Sequence, residues 1–222
     1  MTSLEQLLAP SVPTLQRSDT GNDALQLMDD VHLAEIPLVE EGTYVALIRE
    51  QDVLEWKMPG EPLSESEELL TYKPAVSMRS HPYDVLKVLH SQDLAVIPVV
   101  DTENHYQGAI TRADLLDYLV ETSGIDQPGA LLVLEMDPRN YSLSQIARIC
   151  EQEDVTVLSS QLFNNPDTQM LEVTLKTNRM GLGGLVQSFE RHNFLVKDVH
   201  GDRSDDDDLS DRYDNLMAYL NV

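Results

Sequence analysis

Gly108-Ala109-Ile110-Thr111-Arg112-Ala113-Asp114 is the stretch of this chain best equipped for chemistry. An apolar run ends there in a hydroxyl, and an acid follows three residues later at what reads as a helix start. The hydroxyl and the first-turn amides of such a helix can hold phosphate or ribose oxygens. The Asp114 carboxylate can accept hydrogen bonds from a vicinal diol, and Arg112 can reach a phosphate. The plainer alternative is that Thr111 caps the helix and Asp114 completes the cap, because Thr-x-x-Asp is common at helix starts.

The segment has an earlier counterpart. Ile36-Pro37-Leu38-Val39 recurs 61 positions on as Ile97-Pro98-Val99-Val100, and Asp52 recurs 62 positions on as Asp114. The extra residue fits an insertion in the intervening loop, 40–45 in the first copy and 101–107 in the second. A repeat of this length points to paired units that bury their apolar faces against each other. The copies differ at the chemistry, since Ala46 stands where the second has Gly108 and Arg49 where it has Thr111. Two readings of Arg49 stay open. It fills the cleft or pairs with Asp52, or it contacts the phosphate of a ligand shared between the copies.

Each copy reads as strand, helix, two strands, helix. Asp23 and Asp84 stand where they could cap the first helices, and Ala24, Leu27, Met28 and Val31 share one helix face. Short buried strands follow at 35–39 and 95–100, then strands at 44–48 and 106–110, then helices opened by Asp52 and Asp114. Pro59-Gly60-Glu61-Pro62 and the acids after it mark a linker. Beyond Gly124 the order is strand, helix, strand, strand, helix, strand, over 130–136, 142–153, 155–163, 170–177, 182–192 and 194–199. This βαββαβ order is the ferredoxin-like arrangement. Ser142 to Gln145 reads as a capping box, with Leu143, Ile146, Ala147 and Cys150 facing inward. Leu182, Leu185, Val186 and Phe189 do the same on the second helix.

Charge narrows the choice of partners. The chain of 222 residues has a formal net charge of −24. Residues 1–122 carry 22 acids and 7 bases, residues 123–201 carry 10 and 6, and residues 202–222 carry 7 and 2. Nucleic acid and anionic membrane surfaces would be repelled by every segment. A small phosphate ligand is compatible, because local donors outweigh a screened distant field. A single cysteine, Cys150, forms no intrachain disulfide. The N-terminal stretch lacks a signal-peptide pattern, and no apolar run approaches a membrane span, so a cytoplasmic protein is expected. The six histidines show no metal-ligand spacing, and no nucleophile elbow or phosphate loop appears, so no catalytic or metal site is expected.

On the spacing of the two copies, the Ile-Pro strands and the Gly-x-x-Thr-x-x-Asp segment, residues 1–122 resemble tandem CBS domains (cystathionine-β-synthase type), the pair called a Bateman module. The resemblance implies a regulatory module with a cleft for adenine-containing nucleotides. In that pattern Thr111 and Asp114 hold ribose and phosphate, while Val76, Ser77, Met78, Ile97 and Pro98 line the base pocket. By the same order of elements, residues 129–200 resemble an ACT domain, a regulatory module that often binds amino acids at dimer interfaces. Its first loop, Asp137-Pro138-Arg139-Asn140-Tyr141, lacks the usual glycine, which favours a dimerisation role.

The expected architecture is therefore α+β. It comprises CBS repeats at 1–58 and 73–122 joined by a linker at 59–72, an ACT-like domain at 123–201 and an acidic tail at 202–222. The expected function is a non-catalytic, homodimeric sensor of AMP, ADP, ATP or S-adenosylmethionine acting on a partner protein that the sequence does not name. Its better site lies at Thr111, Arg112 and Asp114, with a weaker or blocked one at Arg49 and Asp52. The alternative is a ligand-free, homodimeric interaction scaffold.

Overall fold

The computed structural model describes residues 4–201. The acidic tail, 202–222, lies outside the described residues. The chain divides into two compact units, Met1–Leu119 and Val120–Val222.

In the first unit the repeat is visible in the backbone. Helix α1 (Gly21–Val31) leads to the hairpin β1 (Glu35–Glu40) and β2 (Thr43–Arg49), then to α2 (Glu50–Glu55). The second copy runs β3 (Val76–Ser77), α3 (Pro82–Ser91), β4 (Val96–Val100), β5 (Tyr106–Thr111) and α4 (Arg112–Ser123). Both hairpins are antiparallel, and each slips register at the same repeat position, Leu38/Val39 in one and Val99/Val100 in the other. The leading strands differ in extent. Val76 and Ser77 pair in parallel with Val99 and Val100, whereas the first copy keeps only a parallel bridge from Leu15 to Leu38. The hairpin tips meet across the repeats, where Tyr44 N donates to Asn104 O and Tyr106 N to Gly42 O.

β2 is buried on both faces. Ala46 and Ile48 pack with Ala24, Ile36 and Val53 of their own repeat, while Leu47 enters the second repeat's core beside Val85, Leu89 and Ile97. That crossover makes the two repeats one folding body, because neither hairpin could leave its second face in water.

The caps lie one turn earlier than the sequence reading placed them. Thr20 caps α1, and Asp23 is its third residue, returning a bond to Thr20 N at 2.9 Å. His81 caps α3, with Asp84 in the reciprocal role. An acid can serve either end of a capping box, and only backbone direction decides which. The segment expected as a linker is a packed strap. Leu63 and Leu69 are buried in the first repeat's core, and Leu63 N donates to Asp19 O.

In the second unit β6 (Leu131–Met136), β7 (Val157–Asn164), β8 (Leu171–Thr177) and β9 (Leu195–His200) form one antiparallel sheet in the order β7-β8-β6-β9. Every second residue of β6 is buried, and Leu132, Leu134 and Met136 share one core with α5 (Leu143–Gln152) and α6 (Gly183–Arg191). Both helices therefore cover the same face, and the arrangement is ferredoxin-like. Two expectations need correction. Leu143 is 52% exposed, and Ile149 takes its place in the inward stripe with Ile146 and Cys150. Leu143 is the first residue of its helix, where a terminal turn has neighbours on one side only. Only half of the expected capping box forms, with Ser142 Oγ accepting from Gln145 N at 3.4 Å.

Candidate functional site

The strand-to-helix corner of the second repeat is built by a change of backbone geometry at Thr111. β5 ends there and α4 begins at Arg112. Thr111 N and Oγ1 both donate to Asp114 Oδ2, at 2.8 and 2.5 Å, and Asp114 N donates to Thr111 Oγ1 at 3.1 Å. The capping alternative is thus realised in full. It occupies one carboxylate oxygen, and Asp114 Oδ1 has no hydrogen bond among the described residues.

Gly108 has a structural role. Its φ of +143° is one that L side chains rarely adopt, and an added Cβ would meet the Leu8 side chain at 3.2 Å. The glycine therefore lets the N-terminal segment lie against β5, where Ala9 N donates to Ala109 O. Arg112, expected at a phosphate, is turned to the loop after α3. Its Nε and Nη2 donate to Leu94 O at 3.2 and 2.7 Å, and Nη2 also reaches Asp93 at 3.1 Å. An arginine holding a backbone carbonyl and a carboxylate at once is a brace, so its phosphate role is not realised in this arrangement.

The remaining expected residues do not gather around Asp114. Thr111 pairs with Val96 at the start of β4, whereas Ser77 pairs with Val100 at its end. At about 3.3 Å per residue those positions are roughly 13 Å apart along the strand. Val76, Ser77 and Met78 thus lie at the opposite end of β4 from the corner. Ile97 is fully buried in the second repeat's core, and Pro98 is buried too, so neither side chain lines an open surface.

The first repeat's corner differs in kind. Arg49 Nε and Nη2 make a two-pronged bond to Asp52 at 2.7 and 2.9 Å, engaging both carboxylate oxygens. The same guanidinium lies 4.3 Å from the centre of the Tyr72 ring. Beside this clasp opens a cavity of about 270 Å³, with Glu55, Trp56, Glu68 and Thr71 also in its wall. Of the two arginine readings, pairing with Asp52 is the one realised. Glu55 and Glu68 add negative charge to the cavity, which disfavours a phosphate there.

Two further residues escaped the sequence reading. Tyr72 lies in the presumed linker, where no periodicity marked it. Burial raises its hydroxyl's pKa, with Arg49 opposing the shift. Glu35 stands directly before the apolar run Ile36-Pro37-Leu38-Val39 of β1, which is the available signal. It is buried, accepts from Ala95 N at 3.1 Å, and burial raises its pKa against the pull of that amide and of Arg112. Cys150 is buried, and burial pushes its thiol up to about 11. Among the described residues no group of three or more His, Cys, Asp or Glu could hold a metal ion. No described helix is long and apolar enough to cross a membrane.

Comparison with known proteins gives a family match in the first unit. The family model of the CBS domain matches residues 4–58 and 67–121. Among solved structures, a CBS domain pair/ACT domain protein from Thermotoga maritima is 19% identical over 54% of this chain and 98% of that chain, with a TM-score of 0.47. The Arabidopsis thaliana protein CBSX2, in complex with AMP, is 19% identical over 55% and 98%, also at 0.47. The CBS domain of a bacterial CNNM/CorC family Mg2+ transporter, in complex with ATP, is 20% identical over 54% and 87%, at 0.43. Likeness of this degree assigns no ligand. The two family matches fall on the two copies of the internal repeat, and the first half of the chain belongs to the CBS-domain family as a tandem pair.

Proposed function

We propose that the chain is a non-catalytic regulatory protein whose CBS pair binds one adenine nucleotide, at the Thr111–Asp114 corner. The observation that carries this reading is the inequality of two matching acids. Asp52 has both oxygens engaged by Arg49, whereas Asp114 is bonded through Oδ2 alone and Oδ1 has no hydrogen bond among the described residues. A ribose diol needs an acceptor of that kind, and a helix start suits the phosphate that follows it. AMP, ADP, ATP and S-adenosylmethionine are the ligands to titrate. Heat of binding near one ligand per chain, lost in Asp114→Ala, is the expected result. No heat and no thermal shift at millimolar ligand would sink the proposal.

A second reading, a ligand-free scaffold, draws support from the complete Thr111–Asp114 cap. It expects Asp114→Ala to lower stability by about 1 kcal/mol, the usual cost of a lost cap, with no ligand effect at all. For either reading we propose that the ferredoxin-like unit serves as a homodimerisation element. Among the described residues its sheet ends at β7 and β9 with no further strand beside them, and Leu162, Phe163, Leu195 and Val199 are exposed on those two strands.

A further inference from the structure

We infer that Tyr72 is a positioning residue that couples the two repeats, transmitting the state of the Arg49 clasp to Arg112 and the start of α4. The contacts form an unbroken series within the first unit. Arg49 holds Asp52 and stacks on the Tyr72 ring at 4.3 Å. The Tyr72 backbone is tied to β2, accepting from Leu47 N at 2.9 Å, and its hydroxyl donates to Gln92 Oε1 at 2.8 Å. Gln92 ends α3, and Asp93 follows with a φ of 51°. Leu94 N returns to Leu89 O at 2.9 Å, which closes the turn. Arg112 then grips Leu94 O and Asp93, and Arg112 N donates to Ala95 O at 2.8 Å.

The loop 92–95 is therefore held from one side by Tyr72, which ends the strap between the repeats and is tied to β2 of the first, and from the other by Arg112 of the second. Glu35, from β1, adds a third hold by accepting from Ala95 N. A turn fixed by a left-handed residue and a helix-end bond has little freedom to absorb a displacement, so movement of Gln92 carries the Leu94 carbonyl with it. The Asp93 carboxylate is 97% exposed, and its ion pair with Arg112 contributes little. The half-buried bonds from Arg112 to Leu94 O are the stronger part of the link. A series of contacts is not yet a coupling, which needs an element that both ends bias. The 92–95 loop is that element here.

The consequence for ligands rests on the proposed nucleotide site. Any molecule that draws Arg49 or Asp52 out of the clasp loosens Tyr72 and alters the corner that carries Asp114. Linkage makes the effect reciprocal, so a ligand at Asp114 changes the clasp by the same factor.

The coupling itself is tested without ligand. In the full chain labelled with nitrogen-15, Arg49→Ala is expected to shift the Arg112 Nε–Hε and Asp114 amide resonances. In a Tyr72→Phe background, which keeps the ring and removes the hydroxyl, the same substitution leaves them in place. A purely stabilising role for Tyr72 does not predict that dependence. Unmoved Arg112 signals with Tyr72 present, or equal movement with Phe, would overturn the inference. Should Arg49→Ala fail to fold, Asp52→Asn loosens the clasp without removing the guanidinium and is read by the same two outcomes. With no nucleotide in the sample, these signals decide the coupling whether or not the AMP titration succeeds.

Discussion

At the scale of single residues, the two corners show how one substitution changes what a repeat can do. With a small hydroxyl at Thr111, the motif acid folds back as half of a cap and keeps an oxygen open. With Arg49 at the matching place, the acid is held by a charge-assisted pair. Gly108 illustrates a different kind of constraint, since it is required by the close approach of Leu8 and by its own φ. Gly108→Ala is expected to destabilise the chain by about 1–3 kcal/mol, the range for a strained backbone position. Gly181→Ala, where an added Cβ meets nothing within 4 Å, is the matched control, expected to change stability far less. Urea unfolding of the two variants checks the contrast, and equal stabilities would remove the structural role of Gly108.

At the scale of elements, β1 carries a buried acid into the junction between the repeats. Burial raises the Glu35 pKa above its ordinary 4.5, so the folded state retains the proton more strongly than the unfolded chain does. Stability therefore falls as pH rises from 4.5 through the raised native value, and the loss is complete above it. Glu35→Gln keeps an acceptor for Ala95 N and removes the charge. Thermal melts across pH 4 to 8 are expected to show the variant gaining on the wild type as pH rises; a gap independent of pH would contradict this. In α5 the inward stripe carries Ile149 where the sequence pattern points to Leu143. Ile149→Ala is expected to cost about 2–5 kcal/mol, as deletion of a fully buried side chain does, and Leu143→Ala under about 1 kcal/mol. Denaturant midpoints decide, and similar losses at both sites would contradict the packing. The difference has a physical source. Periodicity identifies a helix face, but which turn of that face lies over the sheet depends on where the sheet ends.

At the scale of the whole molecule, two units with separate cores share one strongly acidic chain. Among the described residues β7 and β9 are each paired on one side only, and such edges invite pairing with another chain. If β7 is the joining edge, Phe163→Asp, at a residue that is 57% exposed, turns a dimer into a monomer. Light scattering at several concentrations reads this directly. A wild type that is monomeric throughout, or a variant that remains dimeric, would rule out assembly through that edge. The net charge of −24 opposes association at low salt, so the measurement belongs at physiological ionic strength or above.

The sequence by itself determined the repeat, the order of its elements and the ferredoxin-like order that follows. Those features rest on local apolar periodicity, turn residues and spacing, which act along the chain. It also singled out Asp52, Asp114 and Arg49, because both copies could be laid side by side. Only the tertiary structure decided that Arg49 closes on Asp52, that Arg112 braces the 92–95 loop, and that Val76–Met78 lie at the far end of β4 from Asp114. Strand register and side-chain direction set those outcomes, and neither is encoded in local pattern. Tyr72 and Glu35 stayed hidden for the same reason. Each draws its importance from a partner at least twenty residues away, Gln92 for one and Ala95 for the other, that only folding brings within hydrogen-bond reach.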